Sequence, residues 1–255
     1  MAISSISNQS IYRGYQSLAS GKRITSAADD AAGLSIAQKL QSQANSYDVG
    51  SRNAGISQDM VNIADGALSS ITDNLQRIRE LSIQASNDLY TQEDKGAIQA
   101  EIDQLKQSIS DTAFQTQFNT MNLLDSSKDS FHVATGPSAG GMDIQMPNST
   151  LDALGIADYD VTGNFDISAI DNALDTVNLA RAGLGATSNR LDSVMAYNAN
   201  ASLNTAASQS RIEDLDYPRA VSEQKKNELL QTFQMVMQRK HLENENGKVL
   251  RLFQS

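Results

Sequence analysis

The segment Ile56-Ser57-Gln58-Asp59-Met60-Val61-Asn62-Ile63-Ala64-Asp65-Gly66-Ala67-Leu68-Ser69-Ser70-Ile71-Thr72-Asp73-Asn74-Leu75-Gln76-Arg77-Ile78 decides the fold class. Ile56, Met60, Ile63, Ala67, Ile71, Leu75 and Ile78 recur at steps of four and three, the spacing that lines one face of an α-helix. Followed outward in both directions, this character predicts a single helix over residues 28–87, roughly 90 Å long at 1.5 Å per residue. A compact domain of this chain length has a radius of gyration of only about 18 Å. A rod is therefore expected.

Beyond a break at Ser86-Asn87-Asp88, Thr91-Gln92-Glu93-Asp94 opens a second helix with a loose capping-box pattern. Ala97, Ile98, Ile102, Leu105 and Ile109 carry its apolar face to about Asp111. Residues 114–167 change character and hold Pro137 and Pro147 among many Gly, Asn, Ser and Asp. Phe131-His132-Val133 and Met142-Asp143-Ile144-Gln145-Met146 alternate around a Gly-rich connection and predict a β-hairpin, with loop elsewhere. Helix resumes near Ser168. Ile170, Leu174, Val177, Leu184, Leu191 and Met195 keep heptad-like spacing, with Arg181, Ser188 and Asn198 at polar seam positions that fix register at a cost in stability. Pro218 marks a break before a last helix bearing Leu229, Leu230, Phe233, Val236 and Met237, expected to fray at Asn244-Glu245-Asn246-Gly247.

The fold class that follows is mainly α: a long antiparallel helical bundle or coiled-coil rod, the N-terminal helices packed on the C-terminal ones, with a small β-hairpin at the tip. Gly33, Gly50, Gly55, Gly66, Gly183 and Gly185 fall in or near predicted helices, where each costs about 1 kcal/mol relative to Ala. Either they allow close backbone approach, or they mark looser helix.

Composition removes most chemistry. The 255 residues carry a formal charge of -10, against the cationic excess that nucleic-acid binding needs. There is no cysteine, hence no disulfide, thiolate nucleophile or zinc–cysteine site. His132 and His241 are far apart in sequence, there is no Trp, and aromatics are 5% of the chain, a poor basis for a small-molecule pocket. Met1-Ala2-Ile3-Ser4-Ser5 has no basic or apolar run of a cleaved signal peptide, and no stretch of about 20 apolar residues predicts membrane insertion.

Local motifs fail in turn. Gly21-Lys22 lacks the first glycine and the Ser/Thr of a phosphate-binding loop, and Gly183-Leu184-Gly185 lacks the third glycine and the preceding strand of a dinucleotide site. Asp29-Asp30 and Asp214 with Asp216 read as helix-terminal acids rather than acid–base pairs, and neither segment has the alternating ligands of a calcium loop. Met235 and Met237 suit either an adaptable partner surface or ordinary helix packing. Asn8, Asn148 and Asn200 stand in N-x-Ser/Thr sequons, matches that also arise by chance. No catalytic, cofactor-binding or metal-binding residue is expected.

Longer motifs are more specific. Leu18-Ala19-Ser20-Gly21-Lys22-Arg23-Ile24 and Ala27-Ala28-Asp29-Asp30-Ala31-Ala32-Gly33-Leu34-Ser35-Ile36 closely resemble the N-terminal signature of bacterial flagellins. Leu75-Gln76-Arg77-Ile78-Arg79-Glu80-Leu81 with Gln84 resembles the family's long helix, and Gln115-Thr116-Gln117-Phe118-Asn119 the turn after its second. Leu184-Gly185-Ala186, Asn189-Arg190-Leu191 and Ser210-Arg211-Ile212-Glu213-Asp214 resemble its C-terminal half. The matches are collinear.

The resemblance implies a self-assembling filament subunit for swimming motility, exported by the flagellar secretion apparatus to the cell exterior. It implies terminal inner-core segments over 1–27 and 217–255, outer-core halves over 28–113 and 168–216, and a short loop and hairpin tip over 114–167 in place of large outer domains. Implied partners are further flagellin subunits, an export chaperone, hook-associated and filament cap proteins, and the Toll-like receptor for flagellin. Gln76, Arg77, Arg79, Glu80, Leu81 and Gln84 are the implied receptor or subunit contacts, with Ser108 standing where the family's second-helix Glu is expected. The stretch before Leu18 is shorter than the family's, and the tail from Gln234 to Ser255 is more charged, with Val249-Leu250-Arg251-Leu252 as its apolar finish. A hook–filament junction protein and a secreted receptor ligand with poor self-assembly are the alternatives.

Overall fold

The computed structural model describes residues 2–252 apart from Ala139, with the side chains of residues 2–10, 245 and 247–252 outside that description. The sequon side chain at Asn8 and the apolar finish Val249-Leu250-Arg251-Leu252 lie outside the described side chains. The elements in chain order are α1 (Ala2–Ser20), α2 (Ala31–Ala85), α3 (Gln92–Gln115), β1 (Gln117–Phe118), β2 (Met121–Asn122), β3 (Ser130–Ala134), β4 (Gly141–Gln145), α4 (Leu151–Leu154), α5 (Ser168–Glu213) and α6 (Tyr217–Leu252). Contacts divide the chain into a central unit, Asn45–Ser202, and a terminal unit, Met1–Ala44 with Leu203–Ser255. The division falls within α2 and α5, so each of these helices contributes to both units.

The central unit is built on α2, α3 and α5. Its core holds Leu68, Ile71, Leu75, Ile78 and Leu81 of α2, Ile98, Ile102 and Ile109 of α3, and Ile170, Val177, Leu184 and Leu191 of α5. The lower half of the α2 stripe departs from expectation. Ile56 and Ile63 are 54% and 43% exposed, while Ala54, Ser57, Val61, Ala64 and Leu68 are buried. Both sets keep helical spacing, and the helix face that meets its neighbours most closely is lined by small residues there, so side-chain size misleads. The expected capping box opens α3: Thr91 Oγ1 accepts from the Asp94 backbone N–H, and the Asp94 carboxylate accepts from the Thr91 backbone. These contacts hold the Asp94 carboxyl below its ordinary pKa.

The seam polar residues of α5 all find partners. Arg181 Nε donates to Asp65 at 2.9 Å, Gln58 Nε2 donates to Ser188 Oγ at 3.3 Å, and Asn198 Nδ2 donates to the Thr135 carbonyl at 2.8 Å. Asn198 is buried, so its amide fixes the register between helix and hairpin rather than meeting water.

The hairpin β3–β4 forms with the register Phe131↔Ile144, His132↔Asp143 and Val133↔Met142, turning Phe131, Val133, Met142 and Ile144 to the core. Its turn lies against α2 at Gly50 and Asn53, where Asn53 Nδ2 donates to the Ala134 carbonyl at 2.9 Å. The reason is Gly50: a Cβ there would stand 2.3 Å from the Thr135 carbonyl oxygen, so only glycine admits the turn. The loop after α4 lies beside the α2–α3 connection. There Tyr159 donates to Ser82 Oγ at 2.9 Å, and Gln92 Nε2 donates to the Thr162 carbonyl at 2.8 Å.

Two small elements were not legible in the residues. The β1–β2 hairpin turns through Asn119 and Thr120, both at positive φ (48° and 64°), without the Asn-Gly pair that marks such turns. α4 is a single turn capped by Thr150 and closed by Gly155 in the left-handed region.

In the terminal unit, α1 and α6 pack against each other. Gln224 of α6 is buried against Gly14 of α1 and donates to the Ile11 carbonyl at 3.3 Å, and Tyr15 donates to Glu228. Asp30 and Asp216 act as helix N-caps, accepting from the backbone N–H groups of Gly33 and Arg219. Contrary to the expected fraying, α6 continues through Asn244-Glu245-Asn246-Gly247 to Leu252. One Gly costs a helix only about 1 kcal/mol, which need not end it.

Candidate functional site

Among the described residues no group of three or more His, Cys, Asp or Glu is placed to hold a metal ion, and no helix is long and apolar enough to cross a membrane. The features that remain are a junction, an open apolar helix face and a charged cluster.

The junction brings the two terminal motifs together. Residues 20–24 lead out of α1 and meet residues 210–215 at the end of α5. Lys22 and Asp214 form an isolated antiparallel bridge, Arg23 N–H donates to the Glu213 carbonyl at 2.7 Å, and Leu215 N–H donates to the Gly21 carbonyl at 3.0 Å. Gly21 takes φ +68°, a left-handed conformation that suits glycine and lets the chain leave α1 into this bridge. Arg23 Nη2 donates to the Ile212 carbonyl at 2.6 Å. Glu213 is buried and accepts from Lys22 Nζ and, at 2.9 Å, from Gln209 Nε2. Those donors, Lys22 first, hold its carboxyl below the ordinary glutamate range. Nearby, Asp29 accepts from the hydroxyls and backbone N–H groups of Thr25 and Ser26, and its carboxyl is likewise lowered. Ile24 is buried beneath this turn. The motif that fails as a phosphate loop is thus a clamp between distant parts of the chain.

The apolar face lies on α6. Leu229, Leu230, Phe233, Val236 and Met237 line one side of the helix and are exposed, Leu229 at 71% and Phe233 at 62%, and Met235 and Leu242 are exposed on its other side. An amphipathic helix normally buries such a stripe. An exposed apolar patch of this extent marks an interaction surface.

The charged cluster occupies α2, α3 and α5 of the central unit. Arg77 Nη2 and Nε donate to Glu101 at 2.8 and 3.0 Å, and Nη1 donates to Glu80 at 3.1 Å. Glu101 and then Glu80 hold the guanidinium above its ordinary pKa. Arg79 points elsewhere and donates to Asp171 of α5 at 2.6 Å. Gln84 Nε2 donates to the Tyr90 hydroxyl at 3.0 Å, and Gln76 and Glu80 are exposed.

Two expectations are corrected here. Leu81, expected as a contact, is only 2% exposed and belongs to the core, so it has no surface to offer. Ser108 does not occupy the acidic partner's place: it accepts from Asn74 Nδ2 at 3.2 Å, and the α3 glutamate set against Arg77 is Glu101. Sequence reasoning missed Glu101 because the register between α2 and α3 depends on the length of the connecting turn. The glycines divide as well. Gly33 and Gly50 lie under close neighbours, Gly55 makes ordinary contact with Met195, and Gly66, Gly183 and Gly185 face open space.

Comparison with known proteins returns to the same two ends. Residues 2–129 match the family description "Bacterial flagellin N-terminal helical region", and residues 167–253 match "Bacterial flagellin C-terminal helical region". The chain is 36% identical to a flagellin of Halalkalibacterium halodurans over 218 residues, 83% of this chain and 80% of that protein. It is 33% identical to a flagellin of Treponema pallidum over 245 residues, 88% of this chain and 85% of that one. Among solved structures it is similar to the crystal structure of Bacillus cereus flagellin, with TM-score 0.51 and 26% identity over 58% of this chain and 88% of that one. A putative flagellar hook-associated protein from Vibrio parahaemolyticus shares the fold, with TM-score 0.60 and 18% identity over 73% of this chain and 100% of that one.

Proposed function

The chain belongs to the bacterial flagellin family, a structural subunit of the extracellular flagellar filament and not an enzyme, and from there we propose that it self-assembles through the open apolar faces of its terminal helices. In this reading segments 1–27 and 217–255 form the inner core, and segments 28–113 and 168–216 the outer one. The subunit is exported by the flagellar secretion apparatus with its chaperone and added beneath a cap, and the filament drives swimming.

The observation that carries the assembly reading is the α6 face. Five large apolar side chains on it, Leu229, Leu230, Phe233, Val236 and Met237, stand in water in the single chain. Burying them between copies supplies about 25 cal/mol per Å² of apolar surface against the entropy of association. A face that meets a different face of the next copy, and does not close on itself, propagates a helical polymer. The test is electron microscopy of purified protein after a polymerisation trial, with and without short filament seeds. Long helical filaments are expected. Monomers that persist with seeds would falsify self-assembly.

A second reading concerns receptor recognition. Gln76, Arg77, Glu80 and Gln84 share an exposed side of α2, and Arg77 is held by Glu101. We infer that this surface is the one offered to the Toll-like receptor for flagellin. Arg77→Ala should weaken receptor binding with the central unit still folded; equal binding by both proteins removes Arg77 as an anchor.

A further inference from the structure

Methionine exposure in this chain is sharply divided. Met60, Met142 and Met146 are buried, and Met195 is half-buried against the central core. Met121 is 38% exposed, whereas Met235 and Met237 are 57% and 53% exposed. These two lie in one three-residue stretch of α6, Met235-Val236-Met237, between the exposed Phe233 and Leu242. Residues two apart on a helix point to nearly opposite sides, so Met237 stands with Leu229 and Phe233 on the apolar face and Met235 on the other side of α6 with Leu242.

We propose that Met235 and Met237 are a paired oxidation site through which a peroxide shuts off assembly of the free subunit. The proposal rests on the assembly reading above. In each event a thioether sulfur lone pair attacks one peroxide oxygen and the O–O bond breaks. The sulfur becomes a sulfoxide with loss of two electrons, and the other oxygen leaves as water after taking the transferred proton. One equivalent of hydrogen peroxide is consumed per methionine, and thiol-dependent sulfoxide reductases reverse the change. The product replaces an apolar, adaptable side chain by a polar and chiral one. Two sulfoxides then stand on opposite sides of a helix that, in the assembly reading, is enclosed among copies. Within a polymer the same sulfurs are covered, so the filament is protected while the free subunit is sensitive.

The test treats purified full-length monomer and preformed filament with hydrogen peroxide and maps sulfoxides by peptide mass spectrometry. In the monomer, Met235 and Met237 should oxidise at least about fivefold faster than Met60, Met142 and Met146, and in the filament this preference should vanish. Oxidised monomer should need about tenfold more protein to polymerise, and reduction by methionine sulfoxide reductases should restore it. The double variant Met235→Leu, Met237→Leu keeps volume and apolarity; it should polymerise normally and still do so after peroxide. Oxidised wild type that polymerises like untreated protein overturns the proposal. So does a Leu variant that loses assembly on treatment as wild type does. Untreated protein that never polymerises overturns the assembly reading itself, and the proposal with it.

Discussion

At Gly50 an added Cβ would stand 2.3 Å from the Thr135 carbonyl oxygen and 3.1 Å from Asn198 Nδ2. The obstruction is backbone and cannot swing aside. Gly50→Ala should therefore lower the stability of the central unit by about 1–3 kcal/mol in denaturant unfolding, although Ala is the better helix former. Unchanged or raised stability would mean the hairpin turn does not depend on this approach. Glu213 sets a pH dependence. Its carboxyl is held below the ordinary glutamate value by Lys22 and Gln209, so its contribution is present at neutral pH and lost as pH falls through the lowered folded-state pKa. Acid titration followed by circular dichroism should show a less steep loss of helix in Glu213→Gln than in wild type; identical acid limbs would remove Glu213 as the sensing group. The clamp itself was only partly legible. Ser20 to Ile24 and Ser210 to Asp214 stand out as motifs, but nothing in either says that they meet.

The helices separate two kinds of apolar residue that look alike in sequence. Leu191 of α5 is buried in the core and Phe233 of α6 stands exposed. Leu191→Ala should cost the central unit about 2–5 kcal/mol, through lost transfer energy and a cavity. Phe233→Glu should leave monomer helicity unchanged, since surface substitutions fall within about 0.5 kcal/mol, yet suppress polymer yield in a sedimentation assay. If Phe233→Glu polymerises as well as wild type, that part of α6 is not a subunit contact. Two helix starts were read well, the Thr91–Asp94 box and α5 at Ser168, whereas α6 runs past Asn244–Gly247, where it was expected to fray. Faces were read less well. In α2 the true core line passes through Ala54, Ser57, Val61 and Ala64, and the larger Ile56 and Ile63 remain outside.

For the molecule as a whole, the two units differ in how much burial each achieves alone. The central unit closes around a continuous core, while the terminal unit leaves most of the α6 apolar face in water. Hydrogen exchange before and after polymerisation should reflect this. Amides of α1 and α6 should gain strong protection in the filament, and those of α2 around Leu68, Ile71 and Leu75 should change little. Equal gains in both, or none in α6, would contradict assembly through the terminal helices. The sequence by itself determined the long helices, the β3–β4 hairpin, the absence of a cysteine or zinc–cysteine site and the family, because periodicity, capping and collinear motifs are properties of neighbouring residues. The tertiary structure alone decided that Gly50 receives the hairpin turn, that Glu101 rather than Ser108 meets Arg77, that Leu81 is core, and that residues 20–24 clasp residues 210–215. Each of these depends on register between segments distant in the chain, which side-chain identity along one strand of sequence does not encode.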